Sequence, residues 1–322
     1  MTSDNRDFDI AVIGGGPAGL TAALYAGRNM DSAVLFESKG PGGQLLNTEL
    51  IEDYPGFNSI LGVELAEAMA GQAARFGTEI VSADVSRVRV LPDGTKVLET
   101  GAGEYRAPAV IITAGGNPRK LDIPGESEFA GRGVSYCAVC DGAFFKDVHL
   151  AVVGGGDAAV EEAIFLTRHA SHVTLIHRRQ EFRAQPILMD EARKNPQIEF
   201  LLDTVVEAIE GDDKVRRLSL RNQVSGARST LDVEGVFIFV GFIPNTGLVD
   251  RHVDHDKAGY YITDPMTMMT SVPGIFAAGD VRSQLTRQIT TAVGDATTAT
   301  IAASKWVEDW KRDNVETQAA AV

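Results

Sequence analysis

The chain has 322 residues, of which 44% are hydrophobic and 23% charged, with a formal net charge of −14. That size bounds it to roughly one to three domains with ample apolar material for a core, and the acidic balance excludes broad nucleic-acid binding or docking on an anionic membrane. No apolar run reaches the roughly 20 residues that span a bilayer, and no basic-then-apolar leader precedes the first strand, so a cytoplasmic location is expected.

Asp9–Ile13 reads as an apolar strand and is followed by Gly14-Gly15-Gly16-Pro17-Ala18-Gly19, a helix over Gly19–Asn29 and a strand over Ala33–Glu37. This is a βαβ unit, the context in which a glycine fingerprint becomes specific. Its glycines permit a tight turn, close approach to a pyrophosphate and close helix–strand packing, and the helix start offers N–H groups to the phosphate. Glu37 lies 37 − 14 = 23 positions past the first glycine, where an acid accepts hydrogen bonds from a ribose 2′-hydroxyl. Gly40-Pro41-Gly42-Gly43-Gln44 follows, a loop able to pass close to a flat ring.

A helix is expected over Glu64–Phe76. Short antiparallel strands are expected over Val85–Val90, Lys96–Thr100 and Tyr105–Ala107, with turns at Asp93-Gly94 and Gly101. Ala109–Thr113 is a buried strand that ends at Ala114-Gly115-Gly116, and Asn117–Pro124 reads as a linker.

The pattern then restarts. The strand Val148–Val153 leads into Gly154-Gly155-Gly156-Asp157-Ala158-Ala159, a helix over Ala159–His169 and a strand over Val173–His177. The loops are offset by 154 − 14 = 140 positions. His177 stands 177 − 154 = 23 past the second loop, but here a basic cluster follows, Arg178, Arg179 and Arg183. Arginine forks match a 2′-phosphate, so the two loops are fitted to different dinucleotides, the second phosphorylated. His177 either stacks on an adenine or fills the strand end.

The antiparallel excursion also repeats, with strands over Glu199–Leu202, Val215–Asn222 and Gly235–Val240, before a second hinge at Gly241–Asn245. Tyr260–Ile262 and Ile275–Ala278 read as strands, Gly279-Asp280-Val281 as a strand-end turn, and Thr291–Asp309 as a last helix opened by Arg287-Gln288. The tail Arg312–Val322 reads as frayed. The duplication is best accommodated by inserting the second copy into the first, with a simple tandem as the alternative.

Between the loops stand the chain's two cysteines, Cys137-Ala138-Val139-Cys140, followed by Asp141. Two cysteines are too few for a disulfide framework. Their spacing allows a bridge, and a helix start lowers a thiol pKa. Redox chemistry is expected, with Asp141 as proton donor or acceptor. A buried structural pair and half of a zinc site are the alternatives, the latter short of ligands.

Taken together, these motifs resemble the low-molecular-weight, bacterial-type thioredoxin reductase family from Ile10 to about Trp306. The resemblance implies an α/β fold of two Rossmann-like, three-layer domains. An NADPH-binding domain carrying the CxxC (117–245) is inserted into a discontinuous FAD-binding domain (1–116 and 246–322). It implies FAD contacts at Gly14, Gly16, Pro17, Ala18, Gly19, Glu37, Gly43, Gln44, Asn47, Val85, Gly115, Gly279, Asp280, Arg287 and Gln288, the N–H of Gln288 facing the flavin ring. NADPH contacts are implied at Gly154, Gly156, Asp157, Ala158, His177, Arg178, Arg179 and Arg183, with no metal.

The implied activity passes electrons from NADPH through FAD to a Cys137–Cys140 disulfide and on to thioredoxin, in a homodimer. Cys140 would face the flavin, Cys137 would attack the partner, and the inserted domain would turn between half-reactions. A flavin reductase fed by ferredoxin, or one serving another acceptor, is the rival; a non-enzymatic flavin sensor is a further alternative. The chain departs from the family at Thr113–Gly116, at Ala159 and in the Asp295–Ala299 helix entry. Trp306 and Trp310, one helical turn apart, read as packing or dimer-contact residues, or as a cover over a flavin or partner site.

Overall fold

A computed structural model of the chain describes residues 6–47 and 50–320, with the backbone alone at 47, 50 and 314–320. The chain divides into two compact units. The first is Met1–Glu49, Tyr54–Asn117 and Pro244–Val322; the second is Leu50–Asp53 and Pro118–Ile243. Residues 50–53 group with the second unit rather than with the chain around them.

The core of the first unit is a five-stranded parallel sheet in the order Ile275–Ala277, Ala109–Ile112, Ile10–Ile13, Ala33–Phe36, Glu79–Val81. All of its strands but Glu79–Val81 are buried along their whole length because both faces are covered. Strand alternation sends Ala11, Ile13, Val34, Phe36, Val110 and Ile112 toward Val85, Val88, Leu98 and Tyr105 of an antiparallel meander. That meander is Val85–Val90, Lys96–Thr100 and Gly103–Ala107. Helices Pro17–Arg28 and Ile289–Ala320 pack on the sheet and on each other.

The second unit repeats this plan. Its sheet runs Val134–Ser135, Gly235–Phe239, His149–Gly154, His172–Ile176, Ile198–Leu201, all parallel. One face packs on helices Asp157–Leu166 and Pro186–Lys194 through Val160, Ala163, Leu166, Met189 and Ala192. The other packs on the meander Thr204–Gly211, Val215–Asn222, Arg228–Asp232.

Several elements differ from expectation. The helices after the glycine loops begin at Pro17 and Asp157, inside the fingerprints, because proline or an acid at the first helical position suits a helix start. The last helix runs from Ile289 to Ala320 instead of fraying after Asp309. No proline or glycine interrupts 295–320, and extending a formed helix escapes the nucleation cost; the end of the expected tail, 321–322, lies outside the described residues. Tyr260–Ile262 forms no strand: Tyr261 makes only isolated bridges to His255 and Arg282. Helix Pro186–Lys194 and strands Glu79–Val81, Thr204–Gly211 and Arg228–Asp232 were not anticipated.

Trp306 and Trp310 are packing residues within the first unit. Their indole N–H groups donate to Pro108 O at 3.2 Å and Asp93 O at 3.1 Å. Beneath Trp306 lies Lys96, which is 0% exposed. Its ammonium donates to the same Pro108 O at 2.8 Å and sits 5.3 Å from the Trp306 ring centroid. Burial pulls the Lys96 pKa down from 10.5 to about 8. The unfolded chain therefore binds more protons between about pH 8 and 10.5, and stability rises with pH through that window. Lys96→Met removes this slope and leaves Pro108 O its bond from Trp306. The stability of the variant relative to wild type, read from urea midpoints, should fall by on the order of 2 kcal/mol between about pH 7.5 and about pH 10.5. An unchanged difference would refute the assignment.

Candidate active site

In the first unit, four strands deliver their carboxyl ends to one edge, the location at which open α/β sheets bind ligands. Ile10–Ile13 ends in Gly14, whose φ of +104° and 2.7 Å clearance to Thr113 O admit no side chain. A Cβ on Gly19 would stand 1.8 Å from Gly14 O, so the helix start lies hard against the loop. Ala33–Phe36 delivers Glu37, whose Oε2 accepts from Gly15 N–H and Oε1 from Lys39 N–H, both at 2.7 Å. A carboxylate keeps lone pairs free beyond those two bonds.

Gly42 N–H donates to Gly15 O at 2.7 Å, and a Cβ on Gly43 would come 2.9 Å from Gly16 Cα. Gln44 Nε2 donates to Gly116 O at 3.0 Å, drawing in the Gly115 turn at the end of Ala109–Ile112. Ile275–Ala277 delivers Gly279, at φ +73°, where a Cβ would lie 3.1 Å from Ala18 Cβ. Gly14, Gly16, Ala18, Gly19, Glu37, Gly43, Gln44, Gly115 and Gly279 thus gather at one edge with Pro17.

Three observations on this edge fit a polar cofactor. A Cβ on Gly16 would meet nothing nearer than 3.9 Å, so protein packing does not require glycine there. Asp280 is half-buried, has no hydrogen-bond partner among the described residues, and has its pKa raised by burial. Arg287, stacked 4.1 Å from the Tyr260 ring centroid, holds a buried Nε without a hydrogen-bond partner.

Two expected contacts are placed differently. Gln288 N–H donates to Thr291 Oγ1 at 3.1 Å, so it closes the first turn of the last helix rather than standing free. Val85 is buried in the core beneath the sheet edge. The Asn47 side chain lies outside the described residues. Asp295 accepts from Gly279 N–H at 3.3 Å and pairs with Arg282 at 3.1 Å, so the departure at the helix entry clamps the glycine turn.

The second unit builds a matching edge of opposite charge. A Cβ on Gly154 would lie 2.5 Å from both Ala159 Cβ and Phe239 O. At Gly156 a Cβ would meet nothing within 4 Å, again leaving room for a ligand. His177 is 7% exposed and stacks on Phe182; its ring covers Gly155 and its pKa is lowered by burial. Arg183 N–H donates to Gly155 O at 2.8 Å, bringing the basic segment onto the loop. Arg178, Arg179 and Arg183 are exposed, and no ion pair engages them among the described residues. Asp157 is committed to Gln185, accepting from its N–H at 2.7 Å, and Ala158 is exposed beside it.

Cys137 and Cys140 are bonded to each other, with Cα atoms 5.3 Å apart, and neither is left for a metal. Cys137 caps the short helix Ala138–Asp141, and its Sγ accepts from Cys140 N–H at 3.2 Å. Val139 between them is 42% exposed, and both cysteines are half-buried.

Ser135, Tyr136 and Glu126 escaped the sequence analysis because no motif marks them. Ser135 Oγ accepts from Cys137 N–H at 3.1 Å and lies 2.6 Å from Asp141 Oδ2, to which it donates. Tyr136 OH donates to Glu126 at 2.8 Å, and burial together with that carboxylate raises the phenol pKa. Buried Glu126 also accepts from Leu121 N–H at 3.0 Å and Asp122 N–H at 2.7 Å. No helix among the described residues is long and apolar enough to cross a membrane.

A family profile described as pyridine nucleotide-disulphide oxidoreductase matches residues 8–296. The chain is 47% identical over 323 residues to a thioredoxin reductase of Listeria monocytogenes, covering 99% of this chain and all of that protein. It is also 47% identical to a thioredoxin reductase of Bacillus subtilis, covering 95% of this chain and 97% of that one. A thioredoxin reductase crystal structure from Streptococcus pyogenes, 46% identical, superposes with a TM-score of 0.90 over 95% of this chain and 100% of that chain.

The contrast between the two glycines of the second loop is testable by urea unfolding. Gly154→Ala overpacks against Ala159 and Phe239 and should cost on the order of 2 kcal/mol. Gly156→Ala should cost less than about 1 kcal/mol, the loss from an altered N-cap. Equal costs would show that the loop is not packed as described.

Proposed function

The chain belongs to the pyridine nucleotide-disulphide oxidoreductase family, and on that premise we propose that it is an NADPH-dependent thioredoxin-disulfide reductase holding FAD in its first unit. The observation that carries this reading is a half-buried disulfide in one chain with two glycine cradles of unlike charge, one ending at Glu37 and the other at three exposed arginines. The reading includes a homodimer in the cytoplasm.

FAD, when bound, supplies a relay for two electrons between a hydride donor and a disulfide. The N–H groups at the start of Pro17–Arg28 would hold its pyrophosphate, and Glu37 its adenosine ribose. Asp280 would bind a hydroxyl of its chain, and the Arg287 guanidinium would sit against it. In the second unit, Arg178, Arg179 and Arg183 would neutralise a 2′-phosphate, while the open Gly156 position admits the pyrophosphate.

Opening the Cys137–Cys140 bond takes up two electrons and, at neutral pH, one proton, leaving a thiolate and a thiol. The N–H of Cys140 beside Cys137 Sγ favours the thiolate at Cys137. That thiolate attacks one sulfur of oxidised thioredoxin, forming a mixed disulfide and releasing the partner's other sulfur as a thiolate. Deprotonated Cys140 then attacks Cys137 Sγ, restoring the internal disulfide and releasing reduced thioredoxin. Asp141, beside the pair, holds or yields the exchanged protons.

The purified, FAD-loaded chain should reduce a bacterial thioredoxin with NADPH, and Cys137→Ser or Cys140→Ser should abolish turnover. Normal turnover by both variants would overturn the reading. NADPH should bleach the flavin band far faster than NADH, and Arg178→Ala should weaken apparent NADPH affinity roughly 10- to 100-fold without affecting NADH. A flavin that ignores NADPH but accepts electrons from a ferredoxin would favour the rival donor.

A further inference from the structure

We infer that Ser135 is a positioning residue that locks the Asp141 carboxylate beside the cysteine pair and favours its charged form. The hydroxyl has one proton, and its shortest contact, 2.6 Å, is to Asp141 Oδ2. The Cys137 carbonyl at 3.2 Å is the weaker competitor. The same oxygen accepts from Cys137 N–H at 3.1 Å. One side chain therefore ties the backbone of the first cysteine to the acid that follows the second, across six positions of sequence (141 − 135 = 6).

The clip has a rigid anchor. Ser135 is 5% exposed and ends a strand paired in register with Phe237 of the central sheet. Cys137, Cys140 and Asp141 are all half-buried, on or beside the short helix Ala138–Asp141. Losing the Ser135 hydroxyl removes the 2.6 Å contact that fixes Asp141 Oδ2 relative to the Cys137 backbone. A hydroxyl donating to a carboxylate stabilises its charged form.

The test uses the FAD-loaded full chain, reduced and then freed of reductant, and follows the rate of cysteine alkylation by iodoacetamide against pH. The inflection that Asp141→Asn removes belongs to the carboxyl. Ser135→Ala should move that inflection up by about one pH unit, the size expected for losing one hydrogen bond to a charged group. Ser135→Thr, which keeps the hydroxyl, should leave it in place. In an Asp141→Asn background, Ser135→Ala should have no further effect.

An inflection unmoved by Ser135→Ala, a profile with no Asp141-dependent inflection, or an equal shift in both backgrounds would each overturn the proposal. The inference rests on reading the pair as the exchanging disulfide. Alkylation reports the thiols whether or not thioredoxin is the acceptor, so failure of that reading would appear as absent turnover with this pH behaviour intact.

Discussion

Each half of this chain depends on one approach of backbone to backbone, where a strand end meets the helix that follows it. In the first half the contact falls at Gly19, whose missing Cβ would stand 1.8 Å from Gly14 O. In the second, Ala159 carries a side chain, and the space for it comes from Gly154, whose own Cβ would lie 2.5 Å away. The two solutions are complementary, and both hold the loop short enough that the helix start aims its N–H groups at the sheet edge. Glu37, the Gly115 turn and Gly279 gather around the first loop because their strands end at that same edge.

What packing demands of the glycines separates from what a ligand demands. Gly14, Gly19 and Gly154 are required by protein atoms. Gly16 and Gly156 are not, and they occupy the same place in the two fingerprints. At the start of a helix, where free N–H groups face the sheet edge, that open space gives a ligand room to come close.

The parts of the fold that were legible in sequence rest on local physics. Buried parallel strands appear as unbroken apolar runs such as Ile10–Ile13 and Leu150–Val153. The 23-residue spacing to Glu37 and His177 works because one helix and one strand of ordinary length lie between. Helix Pro186–Lys194 is hard to see in sequence because its nine residues bury only Met189 and Ala192, too few to display a helical period, although Pro186 at the start and Arg193-Lys194 in the last turn were usable signals. Ser135, Glu126 and the Lys96–Trp306 contact were illegible for another reason: each joins residues through tertiary packing, and no spacing rule ties Lys96 to a tryptophan in the last helix. The free N–H expected at Gln288 failed on a detail of capping, since Thr291 lay within reach of it.

The two sheets share one strand order and pairing pattern, with one change in chain order. Val134 pairs with Val236, which pairs with Ala151; Ile275 pairs with Val110, which pairs with Ala11. The outer strand reaches the first sheet from the far end of the chain and the second from just upstream. By this register Cys137–Cys140 stands where Ala278–Val281 stands in the other half, the corner that includes Asp280. The same corner therefore carries a half-buried carboxylate in one half and a disulfide in the other. Unlike chemistry at one corner is thus a matter of side chains, with the strand order unchanged.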